Sequence, residues 1–167
     1  MHFLMIIDEL LSEKECQYFI DMINTDSSTK KIDRGEYGTY NRILWKNKEF
    51  ADELWNRIQK YLPNDKQYRC LNSMFRIAKY THGGEFKIHR DGVNQDENGY
   101  RTELTLNIFL NKGFEGGETD FFLEDKSLRY SAKPDVGRAA LFYFNQYHCG
   151  NVVRNGEKYL LRTDVMV

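Results

Sequence analysis

From about residue 66 onward, the chain consists of short segments of strand-forming residues separated by Gly, Asn and Asp. This pattern limits the possible folds. Gly83-Gly84 and Gly116-Gly117 punctuate the runs as turns, and Asn155-Gly156 is a strong signal for a two-residue hairpin. The predicted strands cover about 72–80, 86–91, 103–111, 119–123, 139–145 and 157–166.

Two helices are predicted before these strands. Ser12 and Glu15 form a capping box, and apolar residues at helical spacing then predict a helix over about 13–24. Asn47 is a plausible cap for a second amphipathic helix over about 47–61. Helices that precede many strands favour a β-barrel or sandwich with the helices packed outside it.

The remaining N-terminal segments are predicted from their polarity. Residues 3–7 form a short apolar run that is typical of an edge strand, and the polar stretch 25–38 is predicted to be an exposed connection. We therefore expect an α+β, mainly β fold in one domain, with N-terminal helical support over about 1–65 and a β core over about 66–167.

Composition reduces the number of possible functions. The chain has 167 residues, of which 41% are hydrophobic, and Lys and Arg number 24 against 25 Asp and Glu. The net charge of −1 makes a nucleic-acid partner an unfavoured interpretation. Three cysteines without paired spacing argue against a disulfide framework, and no stretch has the length of a membrane span or a signal peptide. We expect a cytoplasmic protein that does not associate with membranes.

His89 and Asp91 are two residues apart in a predicted strand, so the side-chain period of two places both on one face. With the distant His148 they would supply two imidazoles and one carboxylate, the set that holds non-haem iron(II) and leaves three coordination positions open. An isolated histidine on a strand is more often a structural residue that accepts or donates a hydrogen bond. The three residues by themselves therefore leave both interpretations open.

Several motifs, taken in order, resemble the prolyl 4-hydroxylase-like branch of the 2-oxoglutarate and iron(II)-dependent dioxygenases. The resemblance spans about 74–166 and lies in residues 80–91, 104–111, 116–121, 134–142, 148–150 and 156–158. It implies a double-stranded β-helix, also called a jelly roll or cupin-like fold. It also implies that His89, Asp91 and His148 are the iron ligands.

The resemblance implies cosubstrate residues as well. Lys158, ten residues after His148, would form an ion pair with the distal carboxylate of 2-oxoglutarate, and Tyr80 and Thr119 would hydrogen-bond the cosubstrate. A buried dicarboxylate needs such a cation, because an unpaired buried charge costs several kcal/mol. Arg162, on the same face as Lys158, is the reserve candidate for this role.

The predicted hairpin creates a difficulty of register. A two-residue turn at Asn155-Gly156 would place His148 opposite Thr163, on the face away from Lys158. Both side chains could reach one cavity if the strand were irregular near Cys149-Gly150. We therefore predict a bulge there.

The resemblance implies an enzyme that uses Fe(II), 2-oxoglutarate and O2, with ascorbate as reductant, to hydroxylate a peptidyl side chain. Proline is the favoured target, and a peptide or protein is the expected partner. The same chemistry on a free amino acid, a small metabolite or an alkylated nucleobase is the alternative, as is a non-catalytic jelly-roll binding module. Residues 92–102 are predicted to form a mobile loop at the mouth of the site, and the oligomeric state is left open.

Overall fold

The computed structural model describes residues 3–167. Two α-helices, α1 (Glu13–Thr25) and α2 (Lys48–Ile58), begin at the predicted caps. Ser12 and Glu15 form the reciprocal capping box, and the Asn47 side chain accepts a hydrogen bond from the Phe50 amide. Neither α1 nor α2 is long and apolar enough to cross a membrane.

The described residues contain fourteen strands, and all pairings are antiparallel. In chain order they are β1 (Leu4–Ile7), β2 (Lys30–Asp33), β3 (Thr39–Lys46), β4 (Cys70–Leu71), β5 (Met74–Tyr80), β6 (Phe86–His89), β7 (Thr102–Phe109), β8 (Glu115–Gly116), β9 (Thr119–Phe122), β10 (Leu128–Ala132), β11 (Ala139–Tyr143), β12 (His148–Gly150), β13 (Val153–Arg154) and β14 (Lys158–Met166). Short 3-10 turns cover Gly35–Tyr37 and Gln59–Tyr61.

The strands form two main sheets. The major sheet has the order β1-β11-β7-β14-β5-β3-β2, with β4 paired to β14, and the minor sheet has the order β10-β9-β12-β6. Strands β8 and β13 form a separate two-stranded ribbon.

Both faces of the major sheet are buried, each against a different partner. Ile77 and Leu106 point to the face that packs with Phe19 of α1 and Leu54 of α2. Their neighbours in the same strands alternate to the other face, where Phe142 meets Phe121 of the minor sheet with ring centroids 4.8 Å apart. Two facing sheets with external helices form the double-stranded β-helix that the family resemblance implies.

The six predicted strands are confirmed, with ends that differ by a few residues, and β1 is the predicted edge strand, paired only with β11. The prediction of a plain connection over 25–38 is wrong, because 30–33 form β2, which pairs with β3 at the end of the major sheet. Three of the four β2 side chains are exposed, so the strand carries no apolar alternation that a sequence pattern could detect.

The predicted hairpin at Asn155-Gly156 is also wrong. Strand β13 pairs with β8, whereas β14 pairs with β5 and β7, so the turn leads from the ribbon into the major sheet. The irregularity near Cys149-Gly150 is confirmed as a register shift between His148 and Gly150 against β6. However, the register difficulty does not arise, because β12 and β14 belong to different sheets.

Candidate active site

A cavity of about 310 Å³ lies between the two sheets. Its walls come from strands β3, β5, β7 and β14 of the major sheet and β6, β9 and β12 of the minor sheet. All seven residues that the sequence singled out line this one cavity: Tyr80, His89, Asp91, Thr119, His148, Lys158 and Arg162.

The two histidines come from neighbouring strands. His89 ends β6 and is the direct cross-strand partner of His148 in β12, and their ring centroids are 4.3 Å apart. Asp91 follows β6, with Oδ1 3.5 Å from His89 Nε2 and Oδ2 3.6 Å from His148 Nε2. One ligand atom from each residue lies within 4.8 Å of the others, which is a spacing that can hold one metal ion.

Backbone carbonyls fix the orientation of both imidazole rings. His89 Nδ1 lies 2.7 Å from the Lys87 carbonyl oxygen, and His148 Nδ1 lies 2.9 Å from the Gln146 carbonyl oxygen. Because a carbonyl only accepts, each Nδ1 carries the proton and donates it. Each Nε2 then presents a lone pair toward Asp91, which is the second-sphere arrangement common at metal-bound histidines.

Asp91 is nearly buried, and polar groups compensate its charge. The Thr105 hydroxyl donates a hydrogen bond of 2.7 Å to Oδ2, and Arg162 Nη1 lies 2.9 Å from Oδ1. Burial acts to raise the pKa of Asp91, but the charges of Arg162 and His148 outweigh burial and hold the pKa well below its usual range. Burial lowers the pKa of His148 to about 4. At neutral pH Asp91 is therefore a carboxylate and His148 is a neutral imidazole. These are the protonation states that a divalent metal requires.

Lys158 lies at the buried end of the cavity. Its Nζ lies 5.3 Å from the centroids of the Tyr80 and Phe109 rings, and within the part of the chain that the structure describes it forms no ion pair. Burial lowers its pKa to about 8. A buried ammonium without an anionic partner is unfavourable, so the site fits a ligand that brings a carboxylate to this position.

Arg162 also reaches the cavity, but it has protein partners. In addition to Asp91, it contacts Asp164 through Nη2 at 3.4 Å. Its Nε and the Oδ1 atom of Asn107, the cross-strand partner of Arg162, are buried without a hydrogen bond. Two unsatisfied polar atoms in one cavity wall fit a polar ligand that would complete their hydrogen bonds.

Tyr80 and Thr119 lie on opposite sheets. Tyr80 in β5 is the cross-strand partner of Lys158 and stacks on Tyr40 with ring centroids 5.0 Å apart, and Thr119 in β9 is the buried partner of Gly150. Burial raises the pKa of Tyr80, so its hydroxyl stays protonated and can donate a hydrogen bond to a carboxylate.

Asn107 is not among the predicted site residues, although the sequence contains a signal for it. Thr105 and Asn107 interrupt the apolar strand β7 at alternate positions, and this places both on the face opposite Leu104 and Leu106. Two polar residues with a period of two inside an otherwise apolar central strand indicate a polar cavity on that face.

A sequence model of the 2OG-Fe(II) oxygenase superfamily matches residues 75–163, which is more than half of the chain. The chain belongs to this superfamily. As a 2OG-Fe(II) oxygenase it is a dioxygenase that uses Fe(II) and 2-oxoglutarate, and the donor set and the unpaired Lys158 fit these two groups. None of the curated protein sequences matches the chain.

Solved structures with the same fold include several prolyl hydroxylases. A viral collagen prolyl hydroxylase from Paramecium bursaria Chlorella virus-1, solved with 2-oxoglutarate, is 23% identical with a TM-score of 0.67, and the match covers 99% of this chain and 96% of that chain. A Pseudomonas putida prolyl-4-hydroxylase is 16% identical with a TM-score of 0.74, covering 99% and 92%. A Trichoplax adhaerens prolyl hydroxylase in complex with a hypoxia inducible factor peptide fragment is 14% identical with a TM-score of 0.74, covering 98% and 83%.

Proposed function

We propose that this oxygenase hydroxylates a prolyl side chain within a peptide or protein. His89, Asp91 and His148 hold the iron, and Lys158 binds the distal carboxylate of 2-oxoglutarate. The observation that carries this proposal is that three clustered metal-binding side chains and a buried, unpaired cation line the same cavity. A peptidyl proline is supported by the prolyl hydroxylases that share the fold, one of which was solved with a peptide.

When bound, Fe(II) with 2-oxoglutarate and O2 supplies the oxidising power for hydroxylation, with release of succinate and CO2. The residues of the chain supply binding and orientation. The Lys87 and Gln146 carbonyls keep both Nε2 atoms directed at the metal position, and Thr105 holds the carboxylate of Asp91 in place. Tyr80 and Thr119 hydrogen-bond the cosubstrate, and Arg162 is the reserve cation beside it.

Succinate formation and peptide oxidation test the two parts of the proposal separately. The protein is incubated with Fe(II), 2-oxoglutarate and ascorbate, the expected reductant, under air. Succinate is then measured, and proline-containing peptides are examined by mass spectrometry for the gain of one oxygen atom. We expect both products from the wild type, and an oxidised peptide whose fragmentation places the oxygen on proline.

His148→Ala is the variant that removes a metal ligand, and His82→Ala is its matched control because His82 is exposed and lies outside the cavity lining. We expect succinate formation to fall to background in the first variant and to persist in the second. Circular dichroism checks that both are folded. Equal succinate formation by His148→Ala and the wild type would contradict the assigned metal site, and oxidation of peptides at residues other than proline would contradict the substrate.

A further inference from the structure

The cavity lining is strongly cationic. It contains one acidic residue, Asp91, and six basic ones: Arg34, Arg42, Arg76, Arg90, Lys158 and Arg162. The whole chain has a net charge of −1, so this excess of positive charge is local to the cavity. Several positive charges in one cavity repel one another and destabilise the folded protein. We therefore expect the cavity to bind ligands of negative charge.

Three of the five arginines in the cavity lining have carboxylate partners in the protein. Arg162 pairs with Asp91, and both Arg162 and Arg76 contact Asp164, the latter at 3.2 Å. Arg90 pairs with Glu124 at 2.6 Å. These charges are compensated within the protein, and the charge of Lys158 is assigned to 2-oxoglutarate by the proposed function.

Arg34 and Arg42 are the two remaining basic residues of the cavity lining. Neither forms an ion pair or a side-chain hydrogen bond with any residue in the described range 3–167. Arg34 is exposed and Arg42 is half-buried, so the two stand at the solvent end of the cavity, which we call the mouth. The mouth therefore presents two guanidinium groups that are free to bind an anion from outside.

The β2–β3 hairpin places both arginines in the cavity lining. Arg42 lies two residues after Tyr40 in β3, so both point to the same face, and the Tyr40 ring stacks on Tyr80 in the cavity wall. Burial raises the pKa of Tyr80, and the positive charge of Arg34 partly opposes this, which places Arg34 within electrostatic reach of the cavity. Asp33 and Glu36 on the same hairpin are not among the residues that line it.

We propose that the mouth selects peptides with an acidic residue close in sequence to the reacting proline, and that Arg34 and Arg42 bind its carboxylate. This inference rests on the proposed function and adds a substrate class to it. Two guanidinium groups that line one cavity can hold a carboxylate through charge-assisted hydrogen bonds, and the half-buried position of Arg42 reduces screening by solvent.

An acidic peptide fits this surface better than a nucleic acid does. Leu44, two residues after Arg42 on the same face of β3, and Val93, between the lining residues Gly92 and Asn94, are exposed apolar side chains beside the mouth. Apolar and cationic groups side by side match a peptide that carries both apolar and acidic side chains. A phosphate backbone would instead require a basic surface that extends along the nucleic acid.

The test uses peptides with one proline and otherwise neutral residues. A single Glu is moved through the positions on both sides of the proline, and each peptide is compared with its Gln counterpart. We expect one or more positions where Glu lowers the KM by about fivefold or more relative to Gln, since two partly exposed ion pairs together have this magnitude. The advantage should shrink as salt is raised.

The double variant Arg34→Gln/Arg42→Gln should lose this preference, so that the KM values for the Glu and Gln peptides become equal. Arg129→Gln is the matched control, because Arg129 is an exposed arginine of β10 outside the cavity lining, and it should keep the preference. The KM values for the Glu and Gln peptides are compared within the same protein. A smaller folded fraction therefore lowers both rates without changing the ratio of the two KM values.

The outcomes separate this inference from the proposed function. If Glu and Gln peptides are hydroxylated equally well at every position, or if the double variant keeps the preference, the mouth does not select acidic peptides and the proposed function stands. If no peptide gains oxygen while a methylated oligonucleotide is demethylated, both proposals are overturned.

Discussion

Lys158 and Arg162 extend from the same face of β14 into one cavity, but only Arg162 has carboxylate partners. Arg162 contacts Asp91 and Asp164, whereas Lys158 lies beside the Tyr80 and Phe109 rings and forms no ion pair within the described structure. The sequence left the choice between these two cations open. The difference in their partners favours Lys158 as the residue that binds the distal carboxylate.

The first prediction concerns the affinity for 2-oxoglutarate. Lys158→Met should raise the KM for 2-oxoglutarate by about 30-fold or more, because removal of one partner of a buried ion pair costs about 2 to 5 kcal/mol. Arg162→Gln should change this KM less, since its guanidinium is already paired within the protein. Succinate formation at varied 2-oxoglutarate measures both. A larger effect in Arg162→Gln would reverse the assignment.

The second prediction concerns stability, because burial lowers the pKa of Lys158 from its ordinary value of 10.5 to about 8. Between these values the unfolded chain binds more protons than the folded protein, so stability should rise with pH from about 8 to 10.5. Below pH 8 the buried charge costs its full amount, on the order of 1 to 3 kcal/mol.

Lys158→Met should therefore be more stable than the wild type at pH 7 in the absence of 2-oxoglutarate, and this advantage should shrink at pH 10. With Fe(II) present in both samples under anaerobic conditions, added 2-oxoglutarate should stabilise the wild type more than the variant by mass action. Urea unfolding at both pH values measures these differences. A variant that is less stable than the wild type at pH 7 would show that Lys158 already has a compensating partner in the free protein.

The third prediction concerns Thr105, whose hydroxyl donates to Asp91 in the buried part of the site. Thr105→Val keeps the shape of the side chain and removes this donor, so we expect the affinity for Fe(II) or Co(II) to fall about 10- to 100-fold. Thr105→Ser restores the hydroxyl and should restore most of the affinity. Metal titration gives the dissociation constants, and equal values for Thr105→Val and the wild type would remove Thr105 from the metal site.

Local signals in the sequence were sufficient for the helices and for the pairing of His89 with Asp91. The capping box of Ser12 and Glu15 involves only groups within one helical turn, so it specifies the start of α1 without tertiary information. His89 and Asp91 lie close together because they are two residues apart in the chain. The ordered motifs that resemble a known family then related them to His148, which no local rule could have done.

Other features depended on which segments meet in the folded chain. The backbone at Asn155 and Gly156 adopts positive φ values of 49° and 135°, as expected for a turn, but the strands on either side pair elsewhere. Strand β2 is held by backbone hydrogen bonds to β3 while its side chains remain mostly exposed. The position of Arg34 and Arg42 at the mouth follows from that pairing, so the sequence could not have indicated it.

The last prediction concerns Gly117, which makes room for Lys158. Gly117 has a φ of +69°, and a Cβ added there would lie 2.7 Å from Phe114 Cε2 and 3.2 Å from Lys158 Cδ. Gly113 also has a positive φ, +92°, but a Cβ at that position would meet no atom within 4 Å. Both Gly→Ala changes carry the backbone penalty of about 1 kcal/mol, and only Gly117→Ala adds crowding against Phe114 and the lysine stem.

Gly117→Ala should therefore lower the free energy of unfolding by about 1 to 3 kcal/mol more than Gly113→Ala does. It should also raise the KM for 2-oxoglutarate, because a displaced Lys158 stem moves Nζ away from the carboxylate that it binds. Gly113→Ala should leave this KM unchanged. If the two variants match in both urea unfolding and KM, then the position of the lysine stem does not depend on the space at Gly117, and the buried end of the cavity adapts more freely than its packing indicates.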